Sequence, residues 1–183
     1  TGWNTAAGGS GTGYAVGATF IMASANVTLY AQWKVNQYTV SYEGNGSTGG
    51  TAPAASNFNY GVTVTVAINS GNLTKTGYTF AGWNTSANGL GTNYAGGETF
   101  TMGTSNVILY AQWLVNPTYI VTYKGNTNTG GTVPNDVNKY AQGTIVTVLG
   151  NTGNLVKTGF TFTGWNTSAN GSGTNYADGN KFT

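Results

Sequence analysis

Side chains able to move protons or hold metal ions are few: four carboxylates, six lysines and no histidine. Cysteine is absent, and every basic residue is a lysine (Lys34, Lys75, Lys124, Lys139, Lys157, Lys181). Thiol catalysis, thiolate zinc and a disulfide scaffold are therefore excluded. Imidazole bases and imidazole metal ligands go with them. Two acids can run a glycosidase, and oxygen ligands can hold calcium. Yet Glu43 falls where a second copy of its surroundings carries Lys124, and Glu98 falls where two other copies carry Ala18 and Asn180. Asp178 aligns with Val16 and Gly96. No acid site is built into each copy, so we expect no enzyme, no cofactor and no metal centre.

The glycine pairs at Gly8-Gly9, Gly49-Gly50, Gly96-Gly97 and Gly130-Gly131 read as turns. None opens a helix with the lysine and hydroxyl residue of a phosphate-binding loop. Lys75 and Lys157 do recur, as a Lys–Asn isopeptide bond would require. Such a bond needs a buried acid beside it and no acid recurs, so these lysines read as solvated residues before a turn. Thr63 and Thr65 lie on one side of a V-T-V-T-V run. An ice-binding face can look like that, but so does any half-exposed strand.

Aromatic residues are the stronger signal. Trp3, Trp83 and Trp165 each follow glycine, and Trp33 and Trp113 each end an L-Y-A-Q-W run. One such ring can bury 150–250 Å², and alternation sets some of these rings inward. We take the five tryptophans as core, in preference to a sugar-stacking platform. Tyr14, Tyr94 and Tyr176, in a Gly/Asn-rich G-T-x-Y segment, are the better candidates for ligand contact, although packing over a loop is the preferred reading even there.

All these residues belong to a repeat. T-G-W-N-T at Thr1 returns as A-G-W-N-T at Ala81 and T-G-W-N-T at Thr163. N-V-T-L-Y-A-Q-W (26–33) returns as N-V-I-L-Y-A-Q-W (106–113), and Y-T-V-S-Y-E-G-N (38–45) as Y-I-V-T-Y-K-G-N (119–126). The period is 80 to 82 residues. Solenoid repeats are shorter, so each period should be a small module of its own. Residues 1–33 form the C-terminal part of a first repeat, 35–113 a complete second, and 115–183 a third that lacks its last strand. The linkers, K-V-N-Q and L-V-N-P-T, reach about 15 Å when extended, and Pro117 stiffens the second. A semi-rigid rod is expected.

Strand signals dominate within each period. Y-T-V-S-Y-E (38–43), V-T-V-T-V-A-I (62–68), Y-T-F-A-G-W (78–83), E-T-F-T-M (98–102) and V-I-L-Y-A-Q-W (107–113) are rich in β-branched and aromatic residues. Asn45-Gly46, Asn88-Gly89 and Asn170-Gly171 are turn dipeptides. No window carries helical periodicity, and 52–59 offers one helical turn at most. The fold class is all-β or mainly β, with about five strands per module.

Composition agrees with a packed but weakly charged chain. Of 183 residues, 39% are apolar, 13% aromatic and only 5% charged, with net charge +2. An average domain carries about 25% charge. The lysines form no basic patch, which argues against a nucleic-acid partner. No stretch approaches the ~18 apolar residues of a membrane-spanning helix. Thr1 opens within a pattern, with no initiating Met and no signal peptide, so the sequence reads as a piece of a longer chain.

G-Y-T-F-A-G-W-N-T (77–85), Y-A-G-G (94–97) and N-V-I-L-Y-A-Q-W (106–113) together resemble the Listeria–Bacteroides repeat family, the module type of the B repeat in internalin-type surface proteins. The resemblance runs in register through the whole chain. It implies tandem β-grasp-like modules of secreted or cell-surface bacterial proteins, used as spacers or in adhesion, and brings no catalytic residues. The function it supports is a structural segment of a repetitive surface adhesin or extracellular fibre. A carbohydrate- or receptor-binding module using the loop tyrosines is the alternative, with host or surface glycans as partners. Neighbouring repeats or other copies of the chain are expected partners as well, because low charge leaves strand edges poorly protected. Strand donation between chains from 22–33, or a longer array of which this sequence is a window, would complete the third repeat, and 22–33 should sit in a sheet with 1–5 rather than hang free.

Overall fold

The computed structural model describes residues 2–183 and, among them, contains strands, turns and no helix. The protein is all-β. In the first repeat segment, β1 (Gly2–Asn4) lies between β2 (Gly13–Tyr14) and β3 (Tyr30–Gln32). Gly2 stands opposite Gln32, Trp3 opposite Ala31 and Asn4 opposite Tyr30, all antiparallel. Of 22–33, then, only the last three residues before Trp33 are strand, and they do pair with the G-W segment.

The second repeat has seven strands: β4 (Gln37–Glu43), β5 (Ser56–Asn59), β6 (Thr63–Thr65), β7 (Tyr78–Asn84), β8 (Asn93–Tyr94), β9 (Thr99–Thr101) and β10 (Val107–Val115). Five build one sheet in the order β5-β4-β10-β7-β8, and β6 pairs with β9 across it in a second. The repeat's first and last long strands, β4 and β10, are parallel neighbours at the centre, with Val40 beside Val107 and Tyr42 beside Leu109. That order is a β-grasp sheet. Where a β-grasp usually carries its helix, 60–77 holds β6 and turns. The helical turn allowed for 52–59 is instead β5, whose Phe58 pairs with Tyr38.

Burial follows the alternation of the sequence. In β6 only Val64 is buried between exposed Thr63 and Thr65, as in an ordinary half-exposed strand. Leu109 and Ala111 of β10 are fully buried, because the strand runs through the middle of the sheet. Trp83 (1% exposed) lies among Val40, Val64, Met102 and Leu109. Its ring meets Tyr42 edge-on at 4.8 Å and Phe80 at 5.2 Å, the geometry ring quadrupoles favour. The indole N–H donates to Ala67 O (2.9 Å), while the Tyr42 hydroxyl accepts from Ala67 N (2.8 Å). Two aromatic side chains thus satisfy both polar groups of one inward-facing residue.

Gly82 explains why glycine precedes each of these tryptophans. Its φ is +119°, and a Cβ there would stand 2.9 Å from Tyr94 O of the paired strand. The equivalent points at Gly2 and Gly164 lie 2.7 and 2.6 Å from Tyr14 O and Tyr176 O.

The third repeat, 115–183, contains β11 (Thr118–Tyr119), β12 (Tyr140–Ala141), β13 (Val146–Thr147), β14 (Trp165–Asn166), β15 (Asn175–Tyr176) and β16 (Lys181–Phe182). They form three two-stranded ladders, β11-β12, β13-β16 and β14-β15. The aromatic clamp is intact: Trp165 Nε1 donates to Leu149 O (2.8 Å), and Tyr123 Oη accepts from Leu149 N (2.8 Å). Strand length is what differs. β4 and β7 have seven residues each, whereas β11 and β14 have two. Within the 183 residues no third copy of N-V-x-L-Y-A-Q-W exists, so the edges corresponding to β4 and β7 have no central partner to complete a ladder.

The same reasoning accounts for tryptophans outside the core. Trp113 and Trp165 are half-buried, Trp3 is 45% exposed and Trp33 is 91% exposed. Trp113 packs on Phe80 at 5.7 Å and donates to Gly44 O and Asn45 O, both at 3.1 Å. Counterparts of those residues for Trp33 do not occur in the sequence, and Trp3 likewise has no Tyr42 or Ala67 to close on. Among the five tryptophans expected in the core, Trp83 is thus the fully buried one within residues 2–183.

One turn differs between copies in an informative way. Asn45-Gly46 occupies left-handed backbone, with φ of +48° and +80°, whereas the third repeat holds Asn126-Thr127 at +46° and +64°. A β-branched residue is strained there. Thr127→Gly should therefore stabilise the third repeat by about 1 kcal/mol, seen as a higher urea midpoint. Tyr42→Phe should lower stability by about 1–3 kcal/mol, because Ala67 N–H loses its acceptor. Gly82→Ala should cost about 1–3 kcal/mol through its positive φ, more if the Tyr94 carbonyl cannot retreat. Urea unfolding followed by Trp fluorescence checks all three.

Candidate functional site

The repeated N-T-x-x-x-G-x-G-T-x-Y loop is organised by asparagine. Asn84 Oδ1 accepts from Ser86 N (2.7 Å) and Gly91 N (3.0 Å), and its Nδ2 donates to Gly89 O (3.2 Å). Asn4 and Asn166 make the same three contacts in their copies. Thr85 Oγ1 then accepts from Thr92 N (2.9 Å), as Thr5 and Thr167 do from Thr12 and Thr174. These backbone N–H groups are already engaged inside the loop and do not converge on a phosphate. The Asn role escaped sequence reading, although its signal, Asn directly after each G-W, was visible.

Tyr14, Tyr94 and Tyr176 stand opposite Trp3, Trp83 and Trp165 in the ladders. Each ring is half-buried and packs on a phenylalanine: Phe20 at 5.1 Å, Phe100 at 5.4 Å and Phe182 at 5.2 Å. They are ladder residues with one face covered.

The carboxylates stay apart. No three acidic side chains gather among the described residues. Glu98 Oε2 accepts from Ala95 N (2.8 Å), and Asn180 Oδ1 accepts from Ala177 N (2.8 Å) at the equivalent place. An amide replaces the acid without loss of the bond, so the charge itself is dispensable to the turn. Lys157 Nζ donates to Thr127 Oγ1 (2.7 Å) and lies 4.8 Å from the Phe160 ring centre.

One acid is electrostatically distinctive. Asp136 accepts from Tyr140 Oη (2.8 Å), Asn138 N (3.0 Å) and Asn138 Nδ2 (2.8 Å). Desolvation pushes its carboxyl pKa up, but those three bonds outweigh it and leave the pKa below the ordinary 3.8. Tyr140 is raised above its usual 10.0, first because Asp136 holds its proton.

The third repeat contains a groove of about 640 Å³. Val121 and Tyr123 form one wall, Phe160, Phe162 and Trp165 the other, with Leu155 also lining it. These residues match Val40, Tyr42, Tyr78, Phe80, Trp83 and Leu73 of the second repeat, between which Leu109 and Ala111 run. Phe162 is 39% exposed and Phe160 71%.

Asp136 yields a pH prediction. A carboxyl with a lowered folded pKa contributes stability above its unfolded pKa, and loses it as pH falls through the folded value. Asp136→Asn should flatten the fall of the urea midpoint below pH ~4, while leaving neighbouring repeats unchanged.

No solved structure matches the chain. A stretch of 130 residues, 69% of this chain, is 45% identical to a protein of Evansella cellulosilytica provisionally named a Gly-rich membrane protein. A second protein of that organism, provisionally named a membrane protein, is 47% identical over 93 residues, 51% of the chain. The matched stretches cover only 15% and 14% of those relatives' own lengths. The model of the Listeria-Bacteroides repeat domain matches residues 1–32, 38–112 and 119–183. With repeated ladders, an Asn-organised loop and a Tyr–Trp clamp at the same phase, the chain belongs to the Listeria-Bacteroides repeat domain family.

Proposed function

We propose that this chain is a tension-bearing spacer in a repetitive surface protein of the bacterial cell envelope, on its extracellular side. The carrying observation is the parallel pairing of β4 with β10. A repeat is entered through the N-terminal end of β4 and left through the C-terminal end of β10, and these ends lie at opposite ends of a parallel pair. Pulling on the chain therefore slides the two strands along each other and strains their hydrogen bonds together. Links between repeats support the reading: four residues separate Gln32 from Gln37, and only Asn116 and Pro117 separate β10 from β11. Such links transmit force with little slack. The names of the two relatives support an envelope location.

Half-burial of Tyr14, Tyr94 and Tyr176 weighs against a sugar platform as the main role.

Single-molecule stretching tests the spacer, using the absence of native cysteine for anchoring. Pulling through cysteines at Gln37→Cys and Leu114→Cys loads the β4–β10 pair in shear. Pulling through Gln37→Cys and Ser105→Cys peels it from one end. The shear pair should resist the higher force, and equal forces would remove the mechanical reading. Saturable glycan binding abolished in Tyr94→Ala would favour the binding module instead.

A further inference from the structure

The complete second repeat ends on one side in an edge strand, β5, that no charge defends. We propose that this edge is an association surface whose partner is β5 of a second copy of this chain, paired antiparallel about a two-fold axis at Asn57. Only residues inside the second repeat take part, and the spacer reading is not needed.

The order β5-β4-β10-β7-β8 leaves β5 and β8 as edges. β5 has four residues and β8 only two. Tyr60 N donates to Asn36 O (2.9 Å), and the β4–β5 register sets Phe58 opposite Tyr38 and Ser56 opposite Val40. Bonded and unbonded pairs alternate along an antiparallel ladder. Ser56 and Phe58 therefore turn their main-chain groups to β4, while Asn57 and Asn59 turn theirs outward. Val62 N takes the Asn59 carbonyl (3.3 Å). The Asn57 N–H, the Asn57 C=O and the Asn59 N–H are the groups this edge offers to a further strand.

Charge decides what fits there. Folded sheets usually protect such an edge with lysine, proline or a bulge. From Gly44 to Thr74 the second repeat carries no charged residue, and its proline, Pro53, lies before the strand. The third repeat protects the same edge. There Tyr140 pairs with Tyr119 as Phe58 pairs with Tyr38, which sets Lys139 at the place of Asn57. Lys139 is exposed and adjoins the Asp136, Asn138 and Tyr140 cluster. Two third-repeat edges would bring lysine against lysine, whereas two second-repeat edges bring asparagine against asparagine. An uncharged strand paired about a two-fold axis is its own complement. Each Asn57 N–H then donates to the other copy's Asn57 C=O, and each Asn59 N–H to the other copy's Ala55 C=O. Main-chain bonds supply the affinity, and the pairing is short, so trapping it is the informative measurement.

Single-cysteine chains read the register, because the native chain has no thiol. Ala55→Cys and Asn59→Cys chains are mixed under mild oxidation, and the three disulfide dimers are separated. The mixed dimer is expected at about tenfold the yield of either homodimer, because paired strands hold the unlike thiols at high effective concentration. Asn57→Lys in both chains, which copies the third repeat, should return the yields to the random ratio. Asn57→Lys in one chain and Asn57→Glu in the other should restore the excess, which separates charge repulsion from misfolding. Ala141 holds the place of Asn59 in the third repeat, and Ala141→Cys mixed with Ala55→Cys should show no excess. Random yields from the first mixture, an excess that survives Asn57→Lys in both chains, no restoration by opposite charges, or an equal excess with Ala141→Cys would each overturn the proposal. None of these outcomes touches the stretching experiment, so the two readings fail separately.

Discussion

Two-sided pairing of the central strand is the constraint on which a complete repeat depends. β10 gives one edge to β4 and the other to β7, so it converts two hairpin-like halves into one sheet. Conformational entropy is recovered poorly by two-stranded ladders alone, and isolated hairpins are marginal in water. Residues 115–183, which stop short of that strand, give a comparison. Their side chains match those of the second repeat almost position for position, yet the long strands shorten to two residues where the middle partner is lacking.

The aromatic clamp behaves differently, and the contrast separates two layers of organisation. Tyr123, Leu149 and Trp165 keep the contacts of Tyr42, Ala67 and Trp83 without any central strand. The clamp is thus set by residues of the first two-thirds of a repeat. The ladder is set by its end.

Much of this was legible in the sequence. The alternation in 38–43 and 62–68, and the aromatic run in 78–83, marked β4, β6 and β7 closely, because in a half-buried sheet side-chain period and backbone period coincide. Residues 56–59 were harder: S-N-F-N has one apolar residue and follows Pro53, so its strand character comes from pairing with β4 rather than from its own composition. Exposure of Trp33 was illegible for a related reason, since Trp113 shares its local sequence and differs only in distant partners. The Asn84 loop network was missed because asparagine's value lies in where its amide points, which spacing alone does not disclose.

Asn45 has a chemical consequence. Asparagine followed by glycine is especially open to cyclisation and deamidation, because glycine leaves the attacking backbone nitrogen unhindered. Here the amide at risk is the one whose N–H groups hold the carbonyls of Ala87 and Ala111. Conversion to a carboxylate would set acceptor against acceptor at those two carbonyls, so ageing would loosen this repeat from its turn inward. At the equivalent turn of the third repeat, Thr127 after Asn126 hinders that nitrogen, at the cost of backbone strain.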